Sequence, residues 1–390
     1  MIVIAGKNDI AVHGLSLALE HFEPRKIIVI TNKNDTGVDS WQRSLFKFAA
    51  ENKVSIGQLE DIYSKEINVF LSLEFDRIVK PELFNTKNLY NIHFSLLPKY
   101  KGMHTSVWPI LNGDKSSGVT LHKIDHGIDT GNIVAQREFS ISENDTSHDC
   151  YINYIRNSKA MLSDFFEKII SGAHSETEQS YYNSSYFSVK SIDYAKLEID
   201  FNKTAWQIKK YVQAFTFRSY QLLTFDNEKI CKVVVTKYKS TAKPGAVLNR
   251  EANYAVISTV DYNIEVYFDR LDYILGEMPN LEVSELMQLK NNYLGLNDRN
   301  TKGWSLIIVA AYWGNKRIVD YLLDIGANIN DQNFNGTTVL MYAKDYALKN
   351  NEKTFFNHLI SRGANLNLKD WSGKVLHQYI TPEQSLYLGL

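Results

Sequence analysis

Asn91 and His93 stand two residues apart in the stretch NIHFSLLPKYKG at 91–102, and the later stretch DHGIDTGNIV at 125–134 carries Asp125 and Asp129. Side chains two apart on a strand share a face. If 88–94 is a strand, its end therefore presents a carboxamide and an imidazole together. An imidazole can take or give a proton near neutral pH, and a carboxamide N–H can stabilise a developing oxyanion. The pair suits attack of an amine on a carbonyl carbon. A carboxylate is still wanted to orient or polarise it. Asp125 and Asp129 are both candidates, in a loop loosened by glycines.

The elements around these residues alternate. IVIA at 2–5, KIIVIT at 26–31, VFLSL at 69–73, NLYNIHF at 88–94 and GVTLHKI at 118–124 have the short apolar runs of buried strands. AVHGLSLALEHF at 11–22, TSVWPILNG at 105–113 and a long run at 149–172, closed by Gly172, have helical periods. Such alternation predicts an α/β domain with a mostly parallel sheet covered on both faces. Sheets of that kind place ligands at the carboxyl ends of their strands.

The polar, turn-rich segment 173–188 reads as a connector. Beyond it come a helix, TAWQIKKYVQAF at 204–215, and strand-like runs at 229–240 and 254–268, which predict a small β-rich domain. No helix in this region is evident to cover both faces of its sheet, and an open face or edge invites pairing with a second copy. A two-fold dimer through this region is expected, with the segment that follows lying outboard.

That segment repeats itself. KGWSLIIVAAYWGNKRIVDYLLDIGANIN at 302–330 is followed by a similar run at 335–367, with Gly303 and Gly336 one ankyrin period apart. The glycine, apolar and GAN-x-N positions all register, so the segment resembles ankyrin repeats. It departs at the usual TPLH turn, which reads SLII at 305–308 and TVLM at 338–341. A third unit starts at 370–380. So few repeats need support, which the predicted helix LEVSELMQLKNNYLGL at 281–296 would supply. The expected domains are 1–185, 186–275 and 276–390.

Composition narrows the function classes. The chain has 390 residues and a formal net charge of −1, so no global field attracts nucleic acid or an acidic membrane. Its 2 cysteines, Cys150 and Cys231, make neither a disulfide framework nor a zinc site. His122 and His126 straddle a strand end, which argues against a metal pair, and no metal is expected. The amino-terminal apolar run is too short for a signal peptide and no apolar stretch could span a membrane. A cytoplasmic setting is the expectation.

The two linked stretches, 91–102 and 125–134, resemble the formyltransferases that use N10-formyltetrahydrofolate. The likeness covers roughly residues 1–240. It implies a Rossmann-like catalytic sheet and a catalytic trio of Asn91, His93 and Asp129. It also implies formylfolate lying along Leu73, Glu74 and Phe75 and along Ile124 and Asp125. The family's common proline after the histidine is Phe94 here, a departure that alters packing.

For the acceptor, the purine enzymes' glycine-rich phosphate loop is missing from AGKNDIAV at 5–12, and the basic carboxyl domain expected of a tRNA enzyme is missing too. AFTFRSYQLLTF at 214–225 and GMHTSVWPILNG at 102–113 look like the sugar N-formyltransferases. The implied acceptor is a dTDP-linked amino-dideoxy sugar, foremost dTDP-3-amino-3,6-dideoxyglucose, with the 4-amino isomer second, in surface-polysaccharide (O-antigen) synthesis. Lys7, Asn8 and Arg77 are expected near its diphosphate, His104 and Thr105 near the sugar, and Phe217 and Tyr220 against the thymine. A folate hydrolase sharing the trio, and an ankyrin binding module with a vestigial enzyme domain, are the alternatives. Trp304, Tyr312 and Trp313 either patch the contact with the second domain or form a groove. The groove would take a protein partner or the nucleotide sugar itself, at a second, regulatory site.

Overall fold

The computed structural model describes residues 1–290, 295–296 and 298–390. The chain opens with β1 (Ile2–Gly6), α1 (Asn8–His21), β2 (Ile27–Thr31), α2 (Leu45–Glu51), β3 (Ser55–Ile56), β4 (Val69–Leu73) and β5 (Leu89–His93). These five strands pair in parallel. Every residue of β1 is buried. Ile2 and Ile4 point into one apolar cluster, Val3 and Ala5 into another on the opposite face. That two-sided burial is why such strands read as unbroken apolar runs.

Strand order in the sheet is β3-β2-β1-β4-β5-β7-β8, where β7 is Ser116–Lys123 and β8 is Ile133–Ser140. The chain builds outward from β1 in one direction, then returns to build from β4 in the other. The crevice between the carboxyl ends of β1 and β4 is thus a topological switch point. β6 (Lys101–Gly102) and α3 (Val107–Leu111) follow β5. β7 (Ser116–Lys123) and β8 (Ile133–Ser140) are antiparallel additions. β8 escapes sequence reading because its alternation is half-exposed and carries charges. α4 (Ser147–Ser171) starts at a capping box between Thr146 and Asp149 and stops at Gly172, whose φ of 70° suits a left-handed cap.

The connector is a strap. Its short strand β9 (Tyr186–Phe187) pairs with β6, and Phe187 stacks on Trp108 with ring centroids 3.9 Å apart.

The second domain has α5 (Ala205–Ala214), then β10 (Thr224–Phe225), β11 (Glu228–Val235), β12 (Val247–Arg250), β13 (Tyr254–Ile257) and β14 (Ile264–Phe268), an antiparallel sheet ordered β10-β11-β14-β13-β12. Ile230, Val233, Val266 and Phe268 join α5 in the apolar cluster that also underlies α1 and α4. Cys231 and Tyr267 face the other way and join the core of the repeat segment. The expected open face is therefore covered, and the repeats lie against this sheet. One edge of this sheet is β12, whose four residues are all exposed.

The last region comprises α6 (Leu271–Glu277), α7 (Val283–Lys290), α8 (Leu306–Tyr312), α9 (Lys316–Asp324), α10 (Val339–Asn350), α11 (Thr354–Ser361) and α12 (Pro382–Leu388). Leu286 of α7 is buried against the repeats, in the supporting role expected of it. Of the rest of that expected helix, 291–294 lie outside the described residues and 295–296 are not helical. The extra length of the second repeat lies in helix rather than in a loop: α10 has 12 residues where α8 has 7.

Candidate active site

Alternation along β5 sends Tyr90, Ile92 and Phe94 into the cluster beneath α1 and α4. Asn91 and His93 consequently face the other side. Phe94 stacks on Tyr154 with ring centroids 5.3 Å apart, so it fills core rather than site. The strand then ends in a turn pinned from β7: Leu97 N–H donates to the Thr120 hydroxyl at 3.1 Å, which donates to the Ser95 carbonyl at 2.7 Å. That turn carries the backbone of Tyr100 back over His93.

His93 is buried and its Nε2 lies 2.8 Å from the Tyr100 carbonyl oxygen. A carbonyl only accepts, so Nε2 carries the hydrogen. In the neutral ring the lone pair is then on Nδ1, which sits 3.5 Å from Asp129 Oδ2. Tyr100 is itself held by its phenol, which donates to Asp114 at 2.6 Å and accepts from Asn112 at 2.9 Å.

Asp129 occupies a left-handed backbone conformation, φ 54°, in the loop after β7. Its Oδ2 accepts from the Gly102 N–H at 2.9 Å and its Oδ1 from Asn91 Nδ2 at 3.4 Å. Burial alone would raise its pKa. The His93 charge, the His122 contact and the Gly102 N–H outweigh that and hold it well below the usual carboxylate range. The structure thus brings Asn91, His93 and Asp129 into one cluster.

Two members of this cluster escaped sequence reasoning. His122 lies directly opposite Asn91 in the β5–β7 ladder. Its Nδ1 donates to the Lys123 carbonyl at 2.7 Å, so its Nε2 accepts from Asn91 Nδ2 at 3.1 Å. Gln179, in the strap, donates from Nε2 to the carbonyls of Asp129 (2.9 Å) and Gly131 (2.8 Å). Only cross-strand register could have pointed to His122, and nothing local marks Gln179.

The positions expected near folate divide. Phe75, just past β4, and Ile124, just past β7, flank the same apolar cluster. Leu73 is buried, and its carbonyl accepts the Lys7 N–H at 3.2 Å. Glu74 accepts from Asn8 at 2.9 Å and from Tyr151 at 2.7 Å, and burial pushes its carboxyl pKa up. Asp125 caps its own loop, accepting from Gly127 N–H at 3.0 Å and Thr130 Oγ1 at 2.6 Å.

At the switch point Lys7, Asn8, Trp41, Arg43 and Tyr220 line a cavity of about 320 Å³. Arg77, expected beside them, is absent from its lining and is held by Glu60 through both terminal guanidinium nitrogens. Phe217 offers no free face: it is buried among Trp41, His148 and Tyr151 and backs Tyr220 at 4.7 Å. Tyr220 is exposed. His104 is held at both ring nitrogens, by the Val189 carbonyl and the Tyr194 hydroxyl, each at 3.2 Å. The Thr105 carbonyl accepts from Tyr154 at 3.1 Å. In the repeats, Trp304 is half-buried beneath Lys302, whereas Tyr312 and Trp313 are exposed and meet edge to face.

Residues 12–164 match the formyl transferase family, 191–268 the formyl transferase C-terminal domain and 279–370 ankyrin repeats (3 copies). WlaRD, a sugar 3N-formyl transferase solved in the presence of dTDP and 5-N-formyl-THF, is 45% identical. The match covers 68% of this chain and 97% of that one, with a TM-score of 0.63. An N-formyltransferase from Helicobacter canadensis, in complex with folinic acid and dTDP-3-aminofucose, is 43% identical over 69% of this chain and 99% of that one, with a TM-score of 0.63. Methionyl-tRNA formyltransferase of Clostridioides difficile (strain 630) is 27% identical over 276 residues, 67% of this chain and 88% of that one. Fold and site thus define a formyltransferase enzyme. The chain belongs to the formyl transferase family, with ankyrin repeats following its two formyl transferase domains.

Proposed function

We propose that this enzyme moves the formyl group of N10-formyltetrahydrofolate to the amino group of a dTDP-linked amino-dideoxy sugar. The observation that carries the chemistry is the His93 cluster, in which a backbone carbonyl holds Nε2–H and leaves Nδ1 beside Asp129. The sugar amine attacks the formyl carbon and its proton passes to Nδ1. Asp129 stabilises the imidazolium so formed. In the resting arrangement the Asn91 amide N–H groups face His122 and Asp129. Stabilising the oxyanion requires the carboxamide to swing an N–H from these partners toward the developing oxygen. The tetrahedral adduct then collapses: the bond from carbon to N10 breaks, and His93 returns the proton to the departing tetrahydrofolate.

The acceptor proposed is dTDP-3-amino-3,6-dideoxyglucose, for surface-polysaccharide synthesis in the cytoplasm. Likeness to a sugar 3N-formyl transferase supports the 3-amino position. The dTDP-3-aminofucose in the Helicobacter canadensis complex favours the galacto epimer as a second reading. Among the described residues no helix is long and apolar enough to cross a membrane. A homodimer through the β12 edge, and a second, regulatory ligand at the repeat aromatics, complete the proposal. The test is incubation with formyltetrahydrofolate and a panel of dTDP-amino sugars. The expected result is the mass gain of one carbonyl on a 3-amino sugar. Formylation of methionyl-tRNA alone, or release of formate with no acceptor, would overturn the reading.

A further inference from the structure

Arg43 is a cation with no anion. Among the described residues no carboxylate pairs with its guanidinium, and its Nε is buried without a hydrogen-bond partner. Its planar group is instead braced by two rings, Phe48 at 4.9 Å and Trp371 at 5.8 Å. Phe48 belongs to α2, but Trp371 belongs to the third ankyrin unit. A half-buried guanidinium left without an anion is costly unless a ligand supplies one.

The surroundings say which anion fits. Arg43 shares the switch-point cavity with Lys7, whose ammonium also has no ion-pair partner among the described residues. The acid in the lining, Asp35, is engaged by the backbone N–H groups of Gly37 (3.2 Å) and Phe46 (3.0 Å). Two cations outside any ion pair among the described residues, with the Asn8 amide, suit a diphosphate, which Arg binds in bidentate fashion. Trp41 and Tyr220, edge to face at 5.3 Å, supply an aromatic wall beside it for a base. The larger cleft between the three regions, about 700 Å³, offers no such pair: Arg218, Arg299 and Lys209 there are held by Asp269, Asp331 and Glu143.

We infer that Arg43 binds the diphosphate of the acceptor, and that Trp371 braces it there, so that the ankyrin segment completes the acceptor site. This rests on the sugar-nucleotide reading above.

The test is calorimetry on the full chain with dTDP and, separately, inorganic pyrophosphate. 5-Formyltetrahydrofolate binding serves as the control for an intact fold. Arg43→Met should weaken dTDP binding by roughly tenfold to a hundredfold, the range of a charge-assisted hydrogen bond. Trp371→Ala should weaken it several-fold, Trp371→Phe should restore it, and Trp371→Ala should add nothing in the Arg43→Met background. Equal dTDP affinity in parent and Arg43→Met would overturn the role of Arg43 and leave the acceptor reading standing. Pyrophosphate bound through Arg43 with no binding of dTDP would overturn the thymidine-linked acceptor and keep the arginine's role. A parent that binds neither would overturn both. Unchanged affinity in Trp371→Ala would remove the ankyrin contribution alone.

Discussion

A single backbone carbonyl decides which nitrogen of His93 can act. Because Tyr100 takes the hydrogen on Nε2, the base is Nδ1, and the carboxylate beside it is Asp129. Replacing His93 with Asn removes the base and the cationic partner of the oxyanion together. Turnover should fall by about three orders of magnitude or more while dTDP binding persists, a separation that rapid-quench kinetics and calorimetry can measure. Near-normal turnover would refute the mechanism. Asp129 makes a pH prediction. Its folded pKa lies below its unfolded value of about 3.9. The stability it contributes is therefore fully present above the unfolded pKa and is lost as pH falls through the folded one. The stability gap between the parent and Asp129→Asn, from urea titrations, should be flat from neutral pH down to about pH 5 and close only in stronger acid. A gap that widens on acidification contradicts this.

At the scale of elements, the site is assembled by pairings between distant pieces of chain. The β5–β7 register sets His122 opposite Asn91, and the β6–β9 pair lays the strap across Gly102. Gly102 has a φ of 87°, and a Cβ there would lie 2.2 Å from the Phe187 carbonyl oxygen. Gly102→Ala must push the strap away and shift the N–H that holds Asp129. A loss of about 2–4 kcal/mol of stability is expected, with a turnover deficit that persists at temperatures where the variant is fully folded. Chemical denaturation and initial rates give the two quantities, and parental stability would show that the strap yields without cost.

For the whole molecule, the repeats close the second domain's sheet instead of hanging free. Cys231 and Tyr267 on that sheet share one apolar core with Leu271, Leu306 and Phe356. The β12 edge, with Val247 and Leu248 exposed, is the surface proposed for self-association. Light scattering should therefore report a dimer at micromolar concentration, and Val247→Lys should shift it toward monomer. A monodisperse parental monomer would exclude that assembly. The repeat aromatics bear on regulation. Trp304→Ala should change how rate depends on sugar-nucleotide concentration if a second ligand binds there. A curve that overlays the parent's, with one ligand bound per chain, would mean that Trp304 only packs against the repeat core.

Much of this was legible because it is local. Asn91 and His93 share a face by the period of a strand, Gly172 closes a helix by its own backbone freedom, and the repeat betrays itself by spacing. Phe94 had to pack somewhere because its face was already set. Other features depend on which distant segment arrives. Phe217 and Tyr220 look alike in sequence, yet Trp41, His148 and Tyr151 bury the first and leave the second open. Arg77 looked like a phosphate ligand until Glu60 met it, whereas Arg43 gave no local sign and, among the described residues, packs between Phe48 and Trp371 with no carboxylate on its guanidinium. Periodicity is a property of neighbouring residues. The pairing or isolation of a charge, and the burial of a ring, are settled only when remote parts of the chain pack together.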